Sequence, residues 1–129
     1  MSKRYLAENV FEATQKRIEF VFQEFDNIYV SFSGGKDSGV LLNLVLQYAR
    51  ETNAPQKIGV FHLDYEAQYT ATTEYVDAVY DDLGDEVVNL RCCVPVKCIT
   101  ATSMFEDHWR PWEASKQDIW VRDLPNVYL

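Results

Sequence analysis

Residues 28 to 39 read Ile-Tyr-Val-Ser-Phe-Ser-Gly-Gly-Lys-Asp-Ser-Gly, a β-branched and aromatic run that breaks at two adjacent glycines and continues into a helix start. Ile28, Val30 and Phe32 alternate with Tyr29, Ser31 and Ser33, the period-2 spacing of a strand built from residue types that suit a pleated surface. Gly34 and Gly35 allow backbone angles closed to other residues and let N–H groups approach a ligand without a Cβ in the way. Beyond them Val40, Leu41, Leu44, Val45 and Tyr48 recur at helical spacing, with Asp37 or Ser38 expected to cap the helix. An anion above Ser33 to Ser38 would meet free N–H groups, hydroxyls, the Lys36 ammonium and the positive end of a helix dipole. Such a constellation suits a nucleotide phosphate.

Outward from this run, the chain reads as one α/β unit. Residues 1 to 26 hold an amphipathic helix over 5 to 25, with Leu6, Val10, Ala13, Ile18, Val21, Phe22 and Phe25 near one face and Lys3, Arg4, Glu12, Lys16, Glu19 and Glu24 elsewhere. The first strand is 28 to 33 and the second helix about 38 to 51. After the Asn53-Ala54-Pro55 turn, a second strand covers 57 to 63 and ends at Asp64. A third helix, about 68 to 83, stops at Gly84, where a C-cap glycine belongs. The third strand is about 86 to 94, closed by Pro95. This β-α-β-α-β order predicts a parallel, Rossmann-like sheet with right-handed crossovers and a ligand at the carboxyl ends of the strands.

The glycines are adjacent, so the loop is not the G-x-x-x-x-G-K-[ST] phosphate loop. Ser33-Gly34-Gly35-Lys36-Asp37-Ser38 instead resembles the SGGKDS signature of the PP-loop superfamily, the ATP pyrophosphatases and phosphoadenosine phosphosulfate (PAPS) reductases. The resemblance implies a fold of the adenine nucleotide α-hydrolase type and a bound adenine nucleotide, ATP or a relative of PAPS, with Mg²⁺. It assigns cofactor binding to Ser31, Ser33, Gly34, Gly35, Lys36, Asp37, Ser38 and Asp64, catalysis to Lys36, Asp37 and Asp64, and the metal to Asp37 and Asp64. PAPS reductases carry Asp-Thr-Gly after the second strand, then an aromatic and Glu-Thr. Here Asp64, Tyr69 and Thr72 keep that spacing, while Tyr65-Glu66 replaces Thr-Gly and Ala71 replaces the acid, departures that argue against PAPS itself as substrate. From the residues alone Asp64 has three roles open: Mg²⁺ through water, nucleotide orientation, or a cap on the next helix.

The closing stretch contains Cys93-Val94-Pro95-Val96, Thr100 to Met104, Trp109-Arg110-Pro111-Trp112 and Asp118-Ile119-Trp120-Val121-Arg122-Asp123-Leu124-Pro125. It resembles a PAPS-reductase-like subfamily of bacteria and phages whose best-known members are the IbrA-type co-activators of immunoglobulin-binding protein expression. Two functions follow: cleavage of ATP between the α- and β-phosphates with adenylyl transfer, or handling of an adenylyl-sulfate, against a non-catalytic nucleotide-binding module that controls a protein partner. PP-loop domains build five strands and three are legible here, so residues 1 to 129 are expected to be the N-terminal portion of a longer domain. The first strand would then have a bare edge, one that recruits a second copy or a separate chain.

Composition sets outer bounds. With 47% hydrophobic and 25% charged residues the chain is an ordinary globular sequence. No apolar run is long enough for a membrane span, and the expected location is the cytoplasm. The net charge of −8 arises in residues 51 to 90, where Lys57 stands alone against nine acids, among them Glu74, Asp77, Asp81, Asp82, Asp85 and Glu86. Such a run disfavours direct contact with nucleic acid, including the DNA sulfur modification performed by other PAPS-reductase-like proteins. Cys92, Cys93 and Cys98 lack C-x-x-C spacing and read as idle thiols, and the family's catalytic cysteine belongs to a later segment. His62, inside the second strand, reads as packed.

Overall fold

The computed structural model describes residue 5, residues 7–99 and residues 105–126. Lys3, Arg4 and Leu6 of the expected first helix, and Thr100 to Met104, lie outside the described residues. The first helix, α1, spans Val10–Glu24. It starts later than its apolar pattern suggests because Asn9 builds a capping box: its side chain accepts from Glu12 N at 2.9 Å, and Glu12 Oε2 accepts from Asn9 N at 3.0 Å. Only Ile18 and Phe22 of α1 are buried, whereas Val10 and Phe25 are exposed.

Strand β1 (Tyr29–Ser31), helix α2 (Lys36–Thr52), strand β2 (Gly59–Leu63), helix α3 (Thr70–Leu83) and strand β3 (Val88–Cys92) follow in the alternating order expected. The strands form one parallel sheet in the order β1-β2-β3, with Val30 opposite Val60 and Phe61 opposite Leu90. A single 3-10 turn, Gly84–Glu86, takes the place of the start foreseen for the third strand. Beyond it the fold adds a small antiparallel pair unforeseen from sequence, β4 (Cys98–Ile99) with β5 (His108–Trp109), and a 3-10 segment over Ala114–Ile119.

All three helices pack on one face of the sheet. Ile28, Val30, Phe32, Ile58 and Val60 share a core with Ile18 and Phe22 of α1, Leu42, Val45 and Leu46 of α2, and Val76 and Tyr80 of α3. Right-handed crossovers that advance steadily in one direction across the sheet put their helices on the same side. The register places Tyr29, Phe61, Leu63, Val88 and Leu90 on the other face. There Tyr29 is 67% exposed, Val88 42% and Leu63 39%. Beside β1, which among the described residues pairs only with β2, a cavity of about 380 Å³ runs between α1, α2 and the strand, lined by Arg17, Val21, Ile28, Val30 and Leu41 among others.

Candidate functional site

The loop after β1 is open to solvent. Gly34 turns the chain at φ 80°, and a Cβ there would lie 2.9 Å from Thr72 Cγ2 and 3.0 Å from Val76 Cγ2. This glycine is required by both its backbone angle and its contact with α3. Gly35 differs: it faces open space apart from Ser33 Oγ, 3.4 Å from its notional Cβ. Gly35 is also the N-cap of α2, which opens without a side-chain cap, so neither Asp37 nor Ser38 plays the capping part expected of it. Ser38 Oγ instead donates to Gly35 O at 2.9 Å, accepts from Ser33 N at 3.3 Å and lies 3.1 Å from Ser33 Oγ, drawing the loop into a ring. The cap fails for a geometric reason, since Asp37 and Ser38 already lie inside the first helical turn. Lys36 and Asp37 are exposed on that turn, and Ser31 is exposed on the strand leading to it.

The loop after β2 is shut. Asp64 is fully buried, and its Oδ1 accepts from Arg122 Nη2 and from Glu66 N, the latter at 3.1 Å. Oδ2 faces Arg91 Nε at 3.8 Å, and neither of these two atoms has a hydrogen-bond partner among the described residues. Of the roles open to Asp64 the helix cap is excluded, because α3 begins on Tyr69 without a side-chain cap; the carboxylate caps its own turn instead. The Asp64 carboxylate lies between Arg91 and Arg122 away from solvent, whereas Asp37 is exposed at the start of α2. Among the described residues no three His, Cys, Asp or Glu side chains cluster as metal ligands.

Glu66 completes the closure. It adopts φ 65°, a left-handed conformation costing a non-glycine residue about 1 kcal/mol. Its carboxylate offsets that cost by accepting two backbone hydrogen bonds, from Trp112 N at 2.5 Å and Val121 N at 2.6 Å. Arg122 Nε donates to Glu66 O at 3.0 Å, and its guanidinium lies 5.0 Å from the Trp112 ring centre. Trp112 Nε1 in turn donates to Arg122 O at 3.1 Å. Residues 112 to 122 are thereby strapped over the carboxyl end of β2. Nothing in the local pattern singled out Glu66, although its place at the family's Gly position was a usable signal: a residue there must tolerate positive φ.

His62 is packed, as its place in a strand suggested, and it links the two loops. Its Nδ1 lies 2.8 Å from Phe32 O, and because a carbonyl only accepts, Nδ1 carries the proton; Nε2 lies 3.3 Å from the Gln68 side-chain amide, which must then present its NH₂ as donor. Tyr80, whose hydroxyl donates to Val60 O at 3.1 Å, has its pKa pushed up to about 12 by burial. Burial likewise pushes the Cys93 thiol up to about 11, with Asp64 adding to the rise. The acidic run is only partly a surface. Asp64 and Glu66 are interior, Asp77 pairs with Arg91 and Glu86 with Arg50, leaving Glu51, Glu74, Asp81, Asp82 and Asp85 exposed.

The phosphoadenosine phosphosulfate reductase domain family matches residues 27–120, from just before β1 into the strap. The chain belongs to this family. As a member it shares the PP-loop superfamily's parallel α/β architecture, with the glycine loop in the same strand-to-helix position. The uncharacterized protein YbdN of Escherichia coli (strain K12) is 34% identical over 120 residues, which cover 91% of this chain and 28% of YbdN. The chain therefore spans little more than a quarter of the relative's length. Among the described residues no helix is long and apolar enough to cross a membrane.

Proposed function

We propose that the chain binds an adenine nucleotide through residues 33 to 38, with the β- and γ-phosphates of ATP, or the phosphosulfate end of a related adenylyl ligand, over the start of α2. The observation that carries this reading is a 17-residue helix opening on Gly35 without a side-chain cap, so that its first-turn N–H groups stand unclaimed beside an exposed Lys36. Family membership supports the same ligand class. In this arrangement the α-phosphate is left accessible, and the matching reaction is cleavage between the α- and β-phosphates with adenylyl transfer.

Lys36 neutralises phosphate charge, and Asp37, on the same turn, is the carboxylate suited to Mg²⁺. A bound Mg²⁺ supplies further neutralisation of the phosphates. Asp64 does not fit as a ligand, because its carboxylate is already enclosed by Arg91 and Arg122; it acts as a positioning residue behind the loop. Calorimetric titration of the Gly35→Val, Lys36→Ala double variant should show ATP binding abolished with the far-UV circular dichroism intact, and unchanged affinity would sink the assignment. With Mg²⁺ and ATP, the products expected of the enzyme are AMP and pyrophosphate; ADP and phosphate would mean a different nucleotide geometry.

A second reading, a nucleotide-binding module of the IbrA type that acts through a protein partner, is favoured by the bare sheet. Parallel sheets are normally covered on both faces, yet here one face exposes Tyr29, Leu63 and Val88, and among the described residues nothing pairs with the outer edge of β1. Residues 1 to 129 then work as the N-terminal portion of a larger domain or with a partner or second copy that completes the sheet. A cytoplasmic setting suits three free cysteines. ATP binding without turnover, together with association that Tyr29→Lys abolishes in light scattering, would support this reading. A dispersed monomer at high concentration, with the amides of residues 28 to 33 protected from exchange, would remove it.

A further inference from the structure

The strap encloses a second cavity, of about 310 Å³, lined by Glu66, Ala67, Trp109, Arg110, Lys116, Ile119, Trp120 and Val121. Its size is at the lower end of small-molecule pockets, about 300–1,000 Å³. Indoles at Trp109 and Trp120 offer flat apolar surfaces, and both are held in place: Trp109 stands edge-on to Tyr65 with ring centres 6.4 Å apart, and Trp120 Nε1 donates to Glu113 O at 3.0 Å. Holding the rings before a ligand arrives lowers the ordering cost of binding.

Two cations, Arg110 and Lys116, and one acid, Glu66, line this cavity, and their partners differ. Arg110 donates through Nη1 to Pro95 O at 3.0 Å, and no carboxylate pairs with it among the described residues. Lys116 lies 3.5 Å from the carboxylates of both Glu106 and Glu113, which compensate it. Glu66 is the acid in the lining, and both of its oxygens accept the backbone N–H groups of Trp112 and Val121. Arg110 is thus the cation of the lining that has no carboxylate partner among the described residues, and it stands with two indoles.

We propose that this cavity binds a small planar aromatic anion, its ring against Trp109 and Trp120 and its acid group toward Arg110. Guanidinium recognises a carboxylate or sulfonate by paired, charge-assisted hydrogen bonds, and flat rings stack on indoles. The site goes beyond the nucleotide reading and does not depend on it, since no residue of the 33–38 loop lines the cavity.

The test uses no nucleotide. Salicylate is titrated into the full chain while the indole N–H signals of the three tryptophans are followed by NMR, each assigned by its Trp→Phe variant, with neutral salicylamide as the comparison. The expected result is saturable movement of the Trp109 and Trp120 signals, little movement of Trp112, and salicylamide weaker by about tenfold or more. Arg110→Met should weaken salicylate by the same factor. Because loss of the Arg110–Pro95 bond also touches the fold, Ile119→Asp serves as a second variant: Ile119 is 68% exposed, and an acid there should repel salicylate while sparing salicylamide. Equal affinity for salicylate and salicylamide, no saturation, or salicylate binding unchanged in Ile119→Asp would overturn the proposal.

Discussion

Two loops leave the same end of adjacent parallel strands, and they are opposites. The one after β1 is a ring of serine hydroxyls and glycine backbone with its helix left uncapped. The one after β2 is enclosed by two carboxylates, two arginines and a tryptophan. Each pairs a strained backbone angle with a different remedy. Gly34 has no side chain to resist φ 80°, so that loop needs no tertiary support and stays available; Glu66 holds φ 65° only because its carboxylate is anchored from a distance. The open loop leaves the first turn of its helix without a side-chain cap. The closed loop turns the Glu66 carboxylate and Asp64 Oδ1 to donors elsewhere in the chain.

The largest effect should come from unlocking the closed loop. Glu66→Ala removes the acceptor of two buried amides and is expected to cost about 3 kcal/mol, read as a lowered denaturant midpoint, with faster exchange of the Trp112 and Val121 amides. If stability falls while those two amides keep their protection, the strap is held by something else. Next, Gly34→Ala should cost about 2 kcal/mol, through its positive φ and its approach to Thr72 and Val76, whereas Gly35→Ala should fall within about 0.5 kcal/mol of the native chain. Equal costs at the two glycines would erase the distinction between the structural and the open member of the pair.

A subtler comparison uses the thiol beside the closed loop. Cys93 is buried and its pKa is pushed up to about 11, so at pH 8 iodoacetamide should label it more slowly than half-buried Cys92, as mass spectrometry of the digested protein would show. Because the folded state raises this pKa above the thiol's ordinary value, about 9, the neutral thiol favours folding below about pH 9, and the benefit is lost as pH rises toward 11. Glu66→Ala should narrow the difference between the two cysteines. The smallest effect belongs to the exposed Arg50–Glu86 pair, whose guanidinium holds the Glu86 carboxyl below its ordinary value. Its contribution is present above the unfolded carboxylate pKa and lost as pH falls through the folded one. Solvent screening limits Glu86→Gln to less than about 1 kcal/mol. A larger loss would mean that charge at the surface matters here as much as charge at the closed loop.

The alternation in residues 28 to 33, the paired glycines and the apolar repeat after them determined the strand, the loop and the helix, because each signal lies between neighbours a few residues apart. The same local physics located α3 and its end at Gly84. Element ends were less legible: the start of α1 depended on a capping box at Asn9, and the start of β3 yielded to a 3-10 turn. Asp64 was recognisable as a residue at a strand's carboxyl end, but not as one enclosed by Arg91 and Arg122. Its bond to Arg122 joins residues 58 apart in sequence and that of Glu66 to Trp112 joins residues 46 apart, separations at which periodicity carries no information. A glycine turn that opens on a helix start is written in a short segment because the backbone of neighbouring residues suffices to make it. Whether a buried carboxylate meets a cation, a metal or another segment's amides depends on what the folded chain brings opposite it, and only the tertiary structure decided that.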